Sequence, residues 1–248
     1  MSIESLYPFL YQDEPSSQDQ AVLTAVLAQV QASTVAKASE IIELRAAVAK
    51  ADGARLEQCA RQAADRFNAG GRLFAFGNGG SATDAQQLAT LFLNPPAGIT
   101  PLPAYALGND TAIVTALCND IGVEVVFARQ LATFSWGAGS PGTSSQSTGS
   151  QSTRNDIAVG LSTSGNSANL LRAFDEASRR GMLTIAMAGY DGGKLAELDS
   201  IDYLFVQPST SIHRIQEAQT TTYQVLWQLI TDLTENQEGT ADVPRHTR

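Results

Sequence analysis

The stretch Asp156–Ser167, DIAVGLSTSGNS, constrains this chain most. A short apolar run (Ile157, Ala158, Val159, Leu161) stops at Ser162, Thr163, Ser164, Gly165, Asn166 and Ser167. A helical pattern starts at once. Leu170, Leu171, Phe174 and Ala177 share one face, and Asp175, Glu176, Arg179 and Arg180 lie outside it. A buried strand, a small polar turn and a helix N-terminus in that order make an anion site. The first-turn N–H groups have no intrahelical partners, and the helix dipole is positive there. Hydroxyls and a glycine let the backbone close around a phosphate without a bulky Cβ in the way. An N-capped βα turn with a chance run of Ser and Thr is the plainer alternative.

Composition narrows what such a site can serve. The formal net charge is −9 and the pI about 4.7. The longest Lys/Arg run is Arg179-Arg180, so no basic face for nucleic acid is expected. One small phosphate stays compatible with this charge, because backbone N–H groups can bind it. Cys59 and Cys118 sit in apolar periodic segments and read as small buried hydrophobes. The two histidines, His213 and His246, are too few for a multi-imidazole metal site. The N-terminus carries acids and no basic leader, and no apolar run is expected to reach the length of a membrane span. A cytoplasmic location is expected.

The chain opens irregularly, with Pro8 and Pro15 and the aromatics Tyr7, Phe9 and Tyr11. Helical periodicity then covers Ser16–Gln31 and Thr34–Lys50. It breaks at Asp52-Gly53, resumes over Ala54–Ala69 and stops at Gly70-Gly71. The apolar stripes of this extension suit helix-on-helix assembly in an oligomer. From Arg72, short apolar strands alternate with helices. Strands are expected at Leu73–Phe76, Leu102–Leu107, Ile157–Leu161, Leu183–Ala188 and Tyr203–Val206. Helices are expected at Asp84–Leu93, Thr111–Leu117, Val123–Phe134, Leu170–Arg180 and Ile212–Leu233, with a short one near Lys194–Leu198. This alternation predicts an α/β fold with a parallel sheet covered on both faces. Ligands bind such sheets beyond the carboxyl ends of the strands. A second small-residue turn, Gly77-Asn78-Gly79-Gly80-Ser81, ends the first strand and should face the same crevice. Residues 137–154 are Gly/Ser/Gln/Thr-rich and read as a low-complexity loop insertion. The expected organisation is an N-terminal helical extension over 1–53, an α/β domain over 54–236 and a disordered tail over 237–248.

Five blocks, GNGGS (Gly77–Ser81), Asn119-Asp120, LSTSGNS (Leu161–Ser167), YDGG (Tyr190–Gly193) and RIQE (Arg214–Glu217), resemble in order and spacing a sugar-isomerase (SIS) domain. The nearest branch is the phosphoheptose isomerases, which include a non-catalytic relative that binds the bacterial replication initiator. The resemblance implies a flavodoxin-like three-layer sandwich with a five-stranded parallel sheet, assembled as a homotetramer or homodimer through the N-terminal helices. It implies a phosphorylated sugar as ligand. Asn78, Gly79, Gly80 and Ser81 would lie near the sugar, and Asn119, Asp120 and Gln216 would touch its hydroxyls. Ser162, Thr163, Ser164 and Ser167 would cradle the phosphate.

The family's isomerases move a proton between adjacent carbons of sedoheptulose 7-phosphate with a Glu base and a His acid, around a zinc ion. At the positions of the four zinc ligands this chain has Gln87, Leu91, Gln216 and Gln224, and only Gln216 matches the family. Leu91 and Gln224 stand where the base and the acid should be. Leu accepts no proton, and Gln is neither acid nor base near neutral pH. Neutral amides are poor zinc ligands. No catalytic pair and no metal are therefore expected. A phosphosugar-binding or regulatory protein, with a protein partner as one option, stands beside an isomerase using a relocated base. Glu217 and Asp120 are the candidates for that base, and Asp84 and Asp110 are the other acids near the crevice.

Overall fold

The computed structural model describes residues 17–134 and 155–241, with side-chain environments for 20–134 and 155–235. The expected loop 137–154 and the N-terminal aromatics lie outside the described residues. The chain divides into two compact units at Glu43/Leu44.

The first unit is helical from Ser17 onward and carries exposed Val22, Leu23, Val26, Leu27 and Val30. Its helix, α1, runs without interruption over Ser17–Asn68, so the expected break at Asp52-Gly53 is absent. Tertiary burial overrides the weak helix propensity there. Val48, Leu56, Cys59 and Ala60 are buried around the glycine, and Asp52 pairs with Arg55 at 3.1 Å. The membrane expectation also needs correcting. Within Gln20–Asn68 an 18-residue window reaches a mean hydropathy of 1.2, long and apolar enough to span by length and composition. Interspersed Gln, Ser and Thr break the apolar runs, but the Ala, Val and Leu between them keep the mean high. Helices that pack on other helices share these properties.

The second unit begins at Leu44 and holds the sheet. Five parallel strands, β1 (Leu73–Gly77), β2 (Ala104–Ala106), β3 (Ile157–Leu161), β4 (Leu183–Gly189) and β5 (Tyr203–Gln207), lie in the order β2-β1-β3-β4-β5. This is the flavodoxin-like order, and β1 beside β3 is its switch point. The register there pairs Leu73 with Ile157 and Gly77 with Leu161, so the two small-residue turns leave the sheet side by side. The helices are α2 (Gly80–Leu93), α3 (Thr111–Asp120), α4 (Val126–Phe134), α5 (Ala168–Arg179) and α6 (Ile212–Ala241). Short 3-10 turns occupy Val123–Val125 and Gly193–Glu197.

Strand alternation splits the core into two layers. Leu73, Ala75, Val159 and Ile185 join Leu88, Phe92, Tyr223 and Leu226 on one face. Phe74, Phe76, Ala158 and Ala186 join Phe127, Leu131, Leu170 and Phe174 on the other. The edge between β1 and β3 is fixed by Asp156, only 2 % exposed, whose carboxylate accepts from Arg72 N, Nε and Nη2 at 2.9, 3.2 and 2.7 Å.

Several expected boundaries move. Helix α2 begins at Gly80, not Asp84, so Asp84 sits in its second turn. Helix α3 runs on through Asn119-Asp120, and α6 extends to Ala241, into the segment expected as a tail. Cys59 is buried as expected, but Cys118 is exposed, because no residue of α3 is buried.

A Cβ at Gly53 meets nothing within 4 Å, and its backbone is helical. Gly53→Ala is expected to stabilise the fold by about 1 kcal/mol. Urea unfolding should show a higher midpoint at unchanged slope.

Candidate functional site: the carboxyl ends of β1, β3 and β4

Three loops meet at the switch point. The β3 loop folds on its own hydroxyls. Ser162 is buried, and its Oγ accepts from Gly165 N at 3.0 Å. Ser164 is exposed, and its Oγ accepts from Asn166 N at 3.3 Å. Each hydroxyl oxygen thus takes a backbone N–H and keeps its own proton to donate. Ser167 stands at the N-cap of α5 with an extended backbone, and its side chain makes no capping hydrogen bond. The backbone N–H groups of Leu170 and Leu171 point to Ser167 O, so the N–H groups of the preceding turn face the loop. Thr163 and Ser167 are half-buried beside them.

The loop after β4 backs this cradle by direct backbone contact. A Cβ on Gly165 would fall 2.0 Å from Gly192 O, and one on Gly193 would fall 2.4 Å from Ser164 O. Gly165 also has φ +68, a left-handed conformation that glycine adopts freely. Hydrogen bonds complete the interlock. Leu195 N donates to Gly165 O, Lys194 N to Asn166 Oδ1 and Gly189 N to Thr163 O, each at 3.0 Å.

The β1 loop is tied to α5 through a residue absent from the expected site. Asn78 and buried Asn169 exchange two amide hydrogen bonds, each 2.9 Å. Gly79 and Gly80 are exposed next to them, while Ser81 is buried in the first turn of α2. Gln216 of α6 lies over Gly80, where a Cβ would fall 2.2 Å from Gln216 Nε2. Gln219, fully buried, donates from Nε2 to Ser162 O at 2.9 Å and fixes the cradle from behind. Asn169 and Gln219 carry no sequence signal of their role, because their partners lie 91 and 57 residues away.

The remaining expected residues distribute less tightly. Asn119 donates to Asp120 Oδ1 at 2.8 Å, and both are exposed at the end of α3. Asp110 caps α3, accepting from Ile113 N at 3.0 Å. The Glu217 carboxylate engages Arg214. Gln87 Oε1 accepts from Tyr223 OH at 3.0 Å. Leu91 packs against the core layer under α2, and Gln224 is exposed on α6.

Between α2 and α6 lies a half-buried acid, Asp84, with Oδ1 3.5 Å from Thr220 Oγ1 and from Tyr223 OH. Its Oδ2 is buried without a hydrogen-bond partner. Burial raises the Asp84 pKa, and the two hydroxyls pull it back down in part. Burial, with the nearby Asp84 charge, also pushes Tyr223 up to about 12.

The SIS domain family matches residues 37–189 of this chain. The phosphoheptose isomerase of Thermodesulfovibrio yellowstonii is 37% identical over 179 residues, which is 72% of this chain and 80% of that protein. The phosphoheptose isomerase of Aquifex aeolicus is 39% identical over 165 residues, 66% of this chain and 76% of that one. The solved phosphoheptose isomerase of Neisseria gonorrhoeae superposes with a TM-score of 0.68 at 32% identity, covering 82% of this chain and 99% of its own.

Two substitutions test the site's framework. Asn169→Ala should cost about 1–3 kcal/mol by leaving the Asn78 amide unpaired, read by chemical unfolding. For Asp84 the raised folded pKa means the folded chain holds the extra proton, so stability falls as pH rises through the window between the ordinary and raised values. Asp84→Asn should therefore raise the Tm at neutral pH, and the gain should vanish below the ordinary carboxylate range. Thermal melts across acidic and neutral pH read both arms.

By match, identity and fold, the chain belongs to the SIS-domain family, among the phosphoheptose isomerases and their relatives.

Proposed function

We propose that this protein binds a phosphorylated sugar and has lost the zinc-dependent proton transfer of the phosphoheptose isomerases, acting as a binding or regulatory protein. The carrying observation is the β3 loop. Hydroxyls with free protons and an open first helical turn stand at the switch point, buttressed by a second backbone. Asn78, Gly79, Gly80 and Ser81 then line the sugar side, with Gln216 above them. Ser162, Thr163, Ser164 and Ser167 take the phosphate. Asn119 and Asp120 reach sugar hydroxyls from α3.

The donor set argues against a zinc ion. Three neutral amides and one leucine occupy the family's ligand positions, and Leu91 belongs to the core packing. Among the described residues, no three His, Cys, Asp or Glu side chains cluster as a metal site. The exposed apolar row on α1 supports assembly as a homodimer or homotetramer, or docking of a protein partner. A cytoplasmic location belongs to the same reading.

An active ketose–aldose phosphate isomerase with a relocated base is the second reading. Asp84 favours it, as a half-buried carboxyl of raised pKa beside the family's ligand positions. Glu217 and Asp120 are the other candidates, the former already engaged by Arg214.

A thermal-shift series with sedoheptulose 7-phosphate and related sugar phosphates, with and without zinc, separates the two. Binding at about 100 times Kd should stabilise the fold by about 2.7 kcal/mol. That shift should be independent of zinc and reduced by Ser164→Ala. Turnover of sedoheptulose 7-phosphate that depends on zinc overturns the first reading. Turnover without zinc that is lost in Asp84→Asn, Asp120→Asn or Glu217→Gln establishes the second.

A further inference from the structure

Tyr190 is the one described non-glycine residue with positive φ, at +54°. It follows β4 in a four-residue turn closed by Gly192 N donating to Gly189 O at 2.9 Å. Positive φ at the second position of a tight turn is the hallmark of the primed types, where Gly, Asn and Asp predominate. A bulky aromatic there is a conformational outlier, held against its preference by its surroundings. The neighbouring sequence supplies glycines freely, at Gly189, Gly192 and Gly193. Among the described residues the Tyr190 side chain makes no hydrogen bond or ring contact, and the residue is 37% exposed.

The turn sits at the site. Gly189 N donates to Thr163 O at 3.0 Å. A Cβ at Gly189 would fall 2.5 Å from Thr163 O and 2.4 Å from Ile215 Cδ1. Tyr190 is thus one residue beyond the point where β4 is clamped between the β3 loop and Ile215 in the first turn of α6, the residue next to Gln216.

We propose that Tyr190 is a specificity-determining residue, an aromatic platform at the rim of the cradle that stacks on the apolar C–H face of a bound phosphosugar. The inference rests on the phosphosugar reading above and adds what distinguishes a sugar phosphate from phosphate alone. Hydroxyls and backbone N–H groups grip the anion whatever it is attached to. A ring face rewards only a ligand that presents C–H groups beyond the phosphate.

The test measures affinities for sedoheptulose 7-phosphate and for inorganic phosphate in the full chain, with Tyr190→Gly, Tyr190→Asn and Tyr190→Phe. Gly and Asn tolerate the positive φ and remove the ring. Both should raise the apo Tm by about 2–4 °C and weaken the sugar phosphate about fivefold to tenfold, leaving inorganic phosphate unchanged. Tyr190→Phe should keep sugar-phosphate affinity within about twofold, since the stacking face remains. Unchanged sugar-phosphate affinity in Tyr190→Gly and Tyr190→Asn overturns the proposal alone. So does a parallel loss of inorganic phosphate, which would make Tyr190 a support of the cradle. A wild-type chain that binds neither ligand overturns this proposal and the phosphosugar reading together.

Discussion

Two backbones meet at Gly165 and Gly193 with no room for a Cβ between them. Most of the site's geometry follows from that contact. It presses the loop after β3 against the loop after β4 and turns Ser162 and Ser164 inward onto their own backbone. A loop of small polar residues would otherwise have many conformations, and ordering it on ligand binding would cost affinity. Here the ordering is done in the fold itself, by strands whose register is set by apolar packing on both faces of the sheet. The shape of this loop is the outcome of sheet construction more than of the serines taken singly.

The same construction leaves the β3 loop independent of positions 91 and 224. Leu91 and Gln224 lie on α2 and α6, outside the β3–β4 interlock. An apolar residue at 91 joins the core layer, and an amide at 224 meets solvent. Neither change disturbs Gln219, which reaches Ser162 O from the buried face of α6. On the proposed reading, binding and chemistry would rest on separate structural supports, so that one could be kept while the other is discarded.

The strands and their order were legible in the sequence because each is a short apolar run ended by small residues. The small polar loop after β3 was legible because Ser162–Ser167 is contiguous. Helix boundaries were less so. Gly53 reads as a stop, yet Leu56 and Cys59 are buried one turn on and hold the helix through it. Gly80 reads as loop, yet it opens α2, since the last residues of the turn already form helical hydrogen bonds, Ser81 N to Asn78 O and Ala82 N to Gly79 O. Cys118 reads as buried because it sits in an apolar periodic segment, yet no residue of α3 is buried, and its environment depends on what packs against it rather than on period. Asn169, Gln219 and Tyr223 escaped notice for another reason. Their partners lie far off in sequence, and a polar residue inside a helical stripe announces nothing about a contact made 57 to 139 residues away.

Ligand-binding loops usually belong to the least stable part of a protein and open by local fluctuation. The β3 loop is built otherwise. The amide protons of Gly189 and Leu195 lie within the interlock, donating to Thr163 O and Gly165 O. Releasing either of them requires the β3 and β4 loops to separate. In hydrogen exchange, this loop should therefore protect those amides as a strand does, and their slow exchange would report the unfolding of the sheet, not the arrival of a ligand.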